Sequence, residues 1–145
     1  MNILFDRIVS RVRSAAAQEV RRQADSGTGG TYLDLFVTAK DSETIGEDIR
    51  AALTDVGSAV APAILSASKE PMGVYTITLA DTFSRLNNNE TLHTLIEDYI
   101  ANYCAARWLE VHNATDISVK RYDVKCANLY ERLPRLIAQL MYETL

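Results

Sequence analysis

One stretch, residues 92–111 (LHTLIEDYIANYCAARWLEV), constrains the fold more than any other part of the chain. On a helical wheel at about 100° per residue, Leu95, Ile96, Tyr99, Tyr103 and Ala106 cluster within about 60° of Leu92. Ile100, Cys104, Trp108 and Val111 extend that apolar arc round one side, and Leu109 closes the other. The arc exceeds half the circumference, whereas a surface helix carries a stripe of about 100°. A helix of this kind has to be covered from several directions. The expected fold is therefore mostly α, a helical bundle around a central buried helix at about 91–112.

A chain of 145 residues is expected to form a single domain, residues 1–145, with enough length for a real core. Its two cysteines, Cys104 and Cys126, fall on predicted helices without a Cys or His cluster, so reduced, buried thiols in a cytosolic compartment are expected. No apolar run approaches the ~20 residues that cross a bilayer. Asp6, Arg7, Arg11 and Arg13 interrupt the first apolar positions, so the N-terminal stretch reads as a helix and not as a signal peptide. Charge is unevenly placed within the net −4: residues 1–24 carry +3, residues 25–90 carry −6 and residues 91–145 carry −1. A basic first helix beside an acidic middle suits docking of unlike surfaces, and the same runs also suit solvated helix faces.

Taken in order, residues 2–24 read as helix one. Phe5, Ile8, Val12, Ala15 and Ala16 recur at steps of three and four, a thin stripe that must lean on something larger. Residues 25–31 (DSGTGGT) are a breaker and linker, without the Gly-Lys-Ser/Thr ending of a P-loop. Residues 32–38 fit a short strand or one helical turn, and the linker with this segment extends over 25–41. Thr44 and Glu47 match a capping box, and Ile45, Ile49, Leu53, Val56, Val60 and Ile64 mark a helix over 42–67. Pro62 ends that helix near Ala61 or kinks it on towards Ala67.

Residues 72–82 hold a short β-strand or hairpin, where Tyr75, Ile77 and Leu79 alternate with Val74, Thr76 and Thr78. Two partners are open to it, residues 32–38 in cis or a strand of another chain in trans. Asn89 is the expected N-cap of the central helix, with Glu90 in its first turn. A short link then leads to the last helix, capped by Thr115 or Asp116, and residues 90–143 form an antiparallel helical pair. Tyr122, Cys126, Leu129, Leu133 and Leu140, with Leu136 or Ile137, hold one face across Pro134, which predicts a kink or brief break without a change of face. Glu131 and Arg135 are an expected i,i+4 pair outside.

Chemistry-bearing residues do not converge. His93 and His112 lack ligand spacing, and Cys104 and His112 are about 12 Å apart in helical rise. Glu97 and Asp98 lie off the apolar stripe and are expected in solvent. Arg107 lies inside the stripe, where its stem packs and its head pairs with Glu110 at i+3, or else binds an anion. No catalytic, cofactor-binding or metal-binding residue is assigned, and an acidic chain with a pI near 5.1 gives little support to nucleic-acid binding.

The order Leu92…Ile96-Glu97-Asp98-Tyr99-Ile100-Ala101…Ala105-Ala106-Arg107-Trp108-Leu109, then a short loop, then a helix with Tyr122, Leu129 and Leu133, resembles the C-terminal helical pair of head–tail connector (adaptor) proteins of tailed bacteriophages. The resemblance covers roughly residues 90–140, and residues 42–67 add a helix in a compatible place. It implies a non-enzymatic virion structural protein, without cofactor. Such a subunit forms a homo-oligomeric ring at the phage neck, contacts the portal protein and another neck or tail protein, and touches no membrane. An adaptor, stopper or tail-completion position is left open. Arg7, Arg11, Arg13, Arg21 and Arg22 of helix one, and Tyr75, Ile77 and Leu79 of the strand, are then the expected subunit contacts. The alternative is a cytosolic α-helical binding or regulatory domain with a groove between the last two helices. An enzyme would need a convergent polar cluster around Arg107.

Overall fold

A computed structural model describes residues 1–25, 41–60, 64–69, 73–112 and 116–143. The linker segment and the alternatives for residues 32–38 lie outside the described residues, as does Thr115. In chain order the elements are β1 (Asn2–Leu4), α1 (Phe5–Asp25), α2 (Ser42–Ala59), β2 (Ile64–Lys69), β3 (Val74–Leu79), a 3-10 helix (Asp81–Leu86), α3 (Glu90–Val111) and α4 (Asp116–Glu143).

The central helix is α3, as its all-round apolar pattern demands. It packs against α1, α2 and α4. Leu92, Ile96, Ile100, Trp108 and Leu109 are fully enclosed. Ala101, Ala105 and Ala106 are buried with them, and these small side chains let the neighbours approach closely. The Asn89 side chain accepts the Leu92 amide at 2.9 Å, closing the helix start as expected. Helix α4 lies antiparallel to α3: the Tyr99 and Tyr130 rings meet at a tilt of 46° with centroids 6.0 Å apart, while Arg107 reaches Asp123 at 3.0 Å. Its helical assignment runs unbroken through Pro134, with Leu133 and Ile137 buried on the face that Tyr122 and Cys126 began. Pro134 is on the exposed side, where water can meet the carbonyl that loses its donor.

The strand finds both partners in cis, and neither is residues 32–38. β3 is the centre of a three-stranded antiparallel sheet ordered β1-β3-β2. Ile3 faces Tyr75 on one edge, and Ala67 faces Ile77 on the other. This sheet corrects two expectations. Residues 2–4 are strand and not the first turn of helix one, because the open edge of β3 recruits them: the Ile77 amide donates to the Met1 carbonyl and the Phe5 amide to the Gly73 carbonyl, each at 2.8 Å. Gly73 takes φ +75°, a conformation that L side chains avoid, which lets its carbonyl meet Phe5. Residues 64–69 are likewise strand and not a kinked continuation of the preceding helix. Pro62 cannot donate an amide, the helix stops at Ala59, and residues 64–69 pair with the other edge of β3. The start of α2 is also earlier than the capping box predicts: Asp41 precedes it without a side-chain cap bond, so Thr44 sits inside the first turn.

Candidate interaction surface on two flanks of the last helix

Helix α1 carries the predicted contact arginines, and the fold uses three of them internally. Arg7 meets Glu97 at 2.9 Å, Arg11 meets Asp98 at 2.8 Å, and Arg22 pairs with Glu19. Arg13 and Arg21 are exposed, with no ion pair among the described residues. Glu97, expected in solvent, is only 4% exposed. The wheel places it correctly off the apolar arc, but α1 covers that side of α3 too, and the Arg7 guanidinium supplies the charge that burial requires. Asp98 is partly covered for the same reason.

Periodicity does not single out Glu19, which is 1% exposed at the junction of α1 and α4. Ser118 donates its hydroxyl to Oε2 at 2.5 Å, and Arg121 and Arg22 both hold Oε1. Burial pushes this carboxyl up, but the Ser118 bond and the two guanidiniums outweigh it and hold the acid below the usual range. A Glu at a position continuing the helix-one stripe is the signal available in sequence.

On the same flank of α4 lies an open groove of about 600 Å³ between the first half of α3 and the end of α4. Leu95 and Leu136 line it, with Thr91, Thr94 and Gln139, and its charged lining is Glu90 and Asp98 from α3 and Arg132 and Arg135 from α4. Both arginines are exposed and close no ion pair among the described residues. Arg135 and Glu131 therefore stand apart, contrary to the expected pair, as is common where an exposed bridge is worth under about 1 kcal/mol. Two carboxylates and two guanidiniums thus share the groove, and Arg121, further along α4, is taken up by Glu19.

The opposite flank, between α2, α3 and α4, is acidic. Arg107 sits where the wheel puts it and pairs with Glu110 at 3.0 Å as expected, while also meeting Asp123 at 3.0 Å. Asp48 is near the same guanidinium. Asp55 accepts the Tyr99 hydroxyl at 3.2 Å further along the same flank. Burial raises the Asp48 carboxyl to about 6; Arg107 draws it down, and Glu47 pushes it up again. Because the folded acid holds its proton more tightly than the unfolded one, ionisation costs the fold. The penalty is absent below pH 3.8, develops up to about 6 and persists above it. Asp48→Asn is expected to raise stability by about 1 kcal/mol at pH 7.5, after allowing for solvent screening, and to change little at pH 4. Thermal melts of the two proteins at both pH values check this.

The predicted strand contacts are placed elsewhere. Tyr75, Ile77 and Leu79 are buried against the helices of their own chain, and the hydrogen-bonding edges of β3 are filled by β1 and β2. The case for trans pairing is thereby removed.

Cys104 and Cys126 are buried free thiols. Burial raises the Cys104 thiol well above its ordinary value, with Asp48 and Cys126 adding to it, and burial also pushes Cys126 up to about 12. Among the described residues no three His, Cys, Asp or Glu side chains are grouped to hold a metal ion, and no helix is long and apolar enough to cross a membrane. No family model, curated protein or solved structure matches the chain.

Proposed function

We propose that this chain is a non-enzymatic structural subunit of a tailed-phage virion, of the head–tail connector or adaptor type. Copies form a ring at the neck, built in the bacterial cytoplasm, that bridges the portal protein and the next neck or tail component. The observation that carries this reading is one packed helical core, with α3 gripped by α1, α2 and α4, that leaves both flanks of α4 as charged surface open to side-by-side docking of identical copies. The resemblance over residues 90–140 supports it, since that segment is the α3–α4 pair on which both flanks are built. An outward stripe of α4 with exposed Ile117, Val124 and Tyr142 is left for a further protein contact. The mechanism is geometric: rigid helices set the spacing of copies, and no bond is made or broken.

Deleting the coding sequence from a phage that carries it is expected to leave DNA-filled heads and separate tails, with virions restored by supply in trans. Normal virions after deletion would overturn the proposal. The second reading, a binding or regulatory domain, is favoured by the groove of about 600 Å³ between the last two helices, within the size range of small-molecule sites. Its openness and its two arginines distinguish it from an enclosed apolar pocket.

A further inference from the structure

The seam between α1, α3 and α4 holds a small polar cleft of about 150 Å³. Its floor is Ala15 of α1 with Ala101 and Ala105 of α3, all buried, and these short side chains leave room that longer ones would fill. Arg11, Ser14 and Gln18 of α1, Asn102 of α3 and Lys125 of α4 form its polar wall. Each brings N–H or O–H donors, and no carboxylate lines the cleft among the described residues. The Lys125 ammonium is 4.9 Å from the centroid of the Tyr122 ring, which also lines the cleft, and it closes no ion pair among the described residues. Asp98 lines the neighbouring groove and takes one Arg11 nitrogen, Nη1, at 2.8 Å, which leaves further guanidinium N–H donors. One turn on along each helix, Arg22 and Arg121 share the single carboxylate of Glu19. The seam thus carries four cations, Arg11, Arg22, Arg121 and Lys125, against two carboxylates, Asp98 and Glu19, a surplus of +2.

We infer that this cleft binds a phosphate group, free or as a phosphomonoester, between α1 and α4. Sign and size select the occupant. The surplus is positive and the donors come from three helices, so a tetrahedral oxyanion accepts from several directions at once. A volume of about 150 Å³ fits one such group and is too small for a drug-sized molecule, whose sites begin at about 300 Å³. The bound ion ties α1 to α4 at a second point beside the Glu19 junction, so it stabilises the fold. The site is independent of the reading of the chain as a ring subunit, and its failure leaves that reading standing.

Calorimetric titration of the full chain with sodium phosphate at pH 7.5 tests the site, with chloride holding the ionic strength at about 0.15 M so that general screening is constant. Saturable one-to-one binding is expected, with a rise in melting temperature over the chloride control. Lys125→Ala removes a charged donor and is expected to weaken binding about tenfold, with a smaller loss for Ser14→Ala. Arg132→Ala, in the neighbouring groove, is expected to bind as wild type does. All three residues are exposed, so helicity by circular dichroism is expected to match wild type. Glycerol phosphate separates the sources: binding equal to that of inorganic phosphate assigns the site to phosphomonoesters, and binding of inorganic phosphate alone assigns it to the free ion. Neither heat nor a melting shift beyond chloride would overturn the site. So would acetate binding equally well, Lys125→Ala binding undiminished, or Arg132→Ala losing as much as Lys125→Ala.

Discussion

Trp108→Ala is expected to cost about 4 kcal/mol, a large share of the 5–15 kcal/mol that holds a domain of this size together. Trp108 is 1% exposed in α3, the helix that α1, α2 and α4 all contact. Its ring stacks on His112 with centroids 4.0 Å apart. Truncation removes that contact and leaves a cavity the surrounding helices cannot close without shifting, since they also grip Leu109 and Ile100. Trp108→Phe should cost far less. The indole Nε1 has no hydrogen-bond partner among the described residues, so losing it breaks no bond and relieves a buried, unsatisfied donor. Urea unfolding followed by circular dichroism measures both variants. Equal losses for Ala and Phe would show that the indole nitrogen has a partner not apparent from its surroundings.

Glu19→Ala is expected to cost about 3 kcal/mol, because it strands Arg121 and Ser118 against a buried site instead of simply deleting a surface bridge. The carboxylate ties the end of α1 to the start of α4 through Ser118 and Arg121, across 99 and 102 residues of sequence. Its acid strength gives the effect a pH signature. The folded acid is stronger than the ordinary value of 4.5, so its stabilisation is complete above that value and is lost as pH falls through the lower folded one. Wild type should therefore lose stability over that acid range more steeply than Glu19→Gln, which has no proton to take up. Melting temperatures between pH 3 and 7 decide it, and parallel curves would refute the linkage.

The helical architecture is legible in the chain because its signals are local. The all-round apolar wheel of residues 92–111 dictates a covered helix, and the Asn89 cap and the α4 face across Pro134 come from spacing alone. The sheet partners are not legible. Three residues at 2–4 and an alanine- and serine-rich run at 64–69 have no strand pattern of their own, and only the unfilled edges of β3 make them strands. Polar burial escapes the wheel for a related reason. Glu97 looks solvated on it yet is buried beside Arg7, while Glu19 continues the helix-one stripe and is buried because Arg22 of the next turn and Arg121 of a distant helix pair with it. The charged flanks are half visible. The basic first helix and the acidic middle can be counted along the chain, but Arg7, Arg11 and Arg22 are paired within it. The arginines of the groove lie on α4 with Glu90 and Asp98 of α3 beside the same groove, a juxtaposition that a linear charge sum does not show.

The most direct test is the native mass in solution, measured by light scattering with and without a portal ring. The account predicts a particle with a mass many times that of the 16.1 kDa chain, either for the protein alone or once the portal is added. A particle that stays at 16.1 kDa and ignores portals under every salt condition would contradict the connector account and return the groove between α3 and α4 to the role of a ligand site.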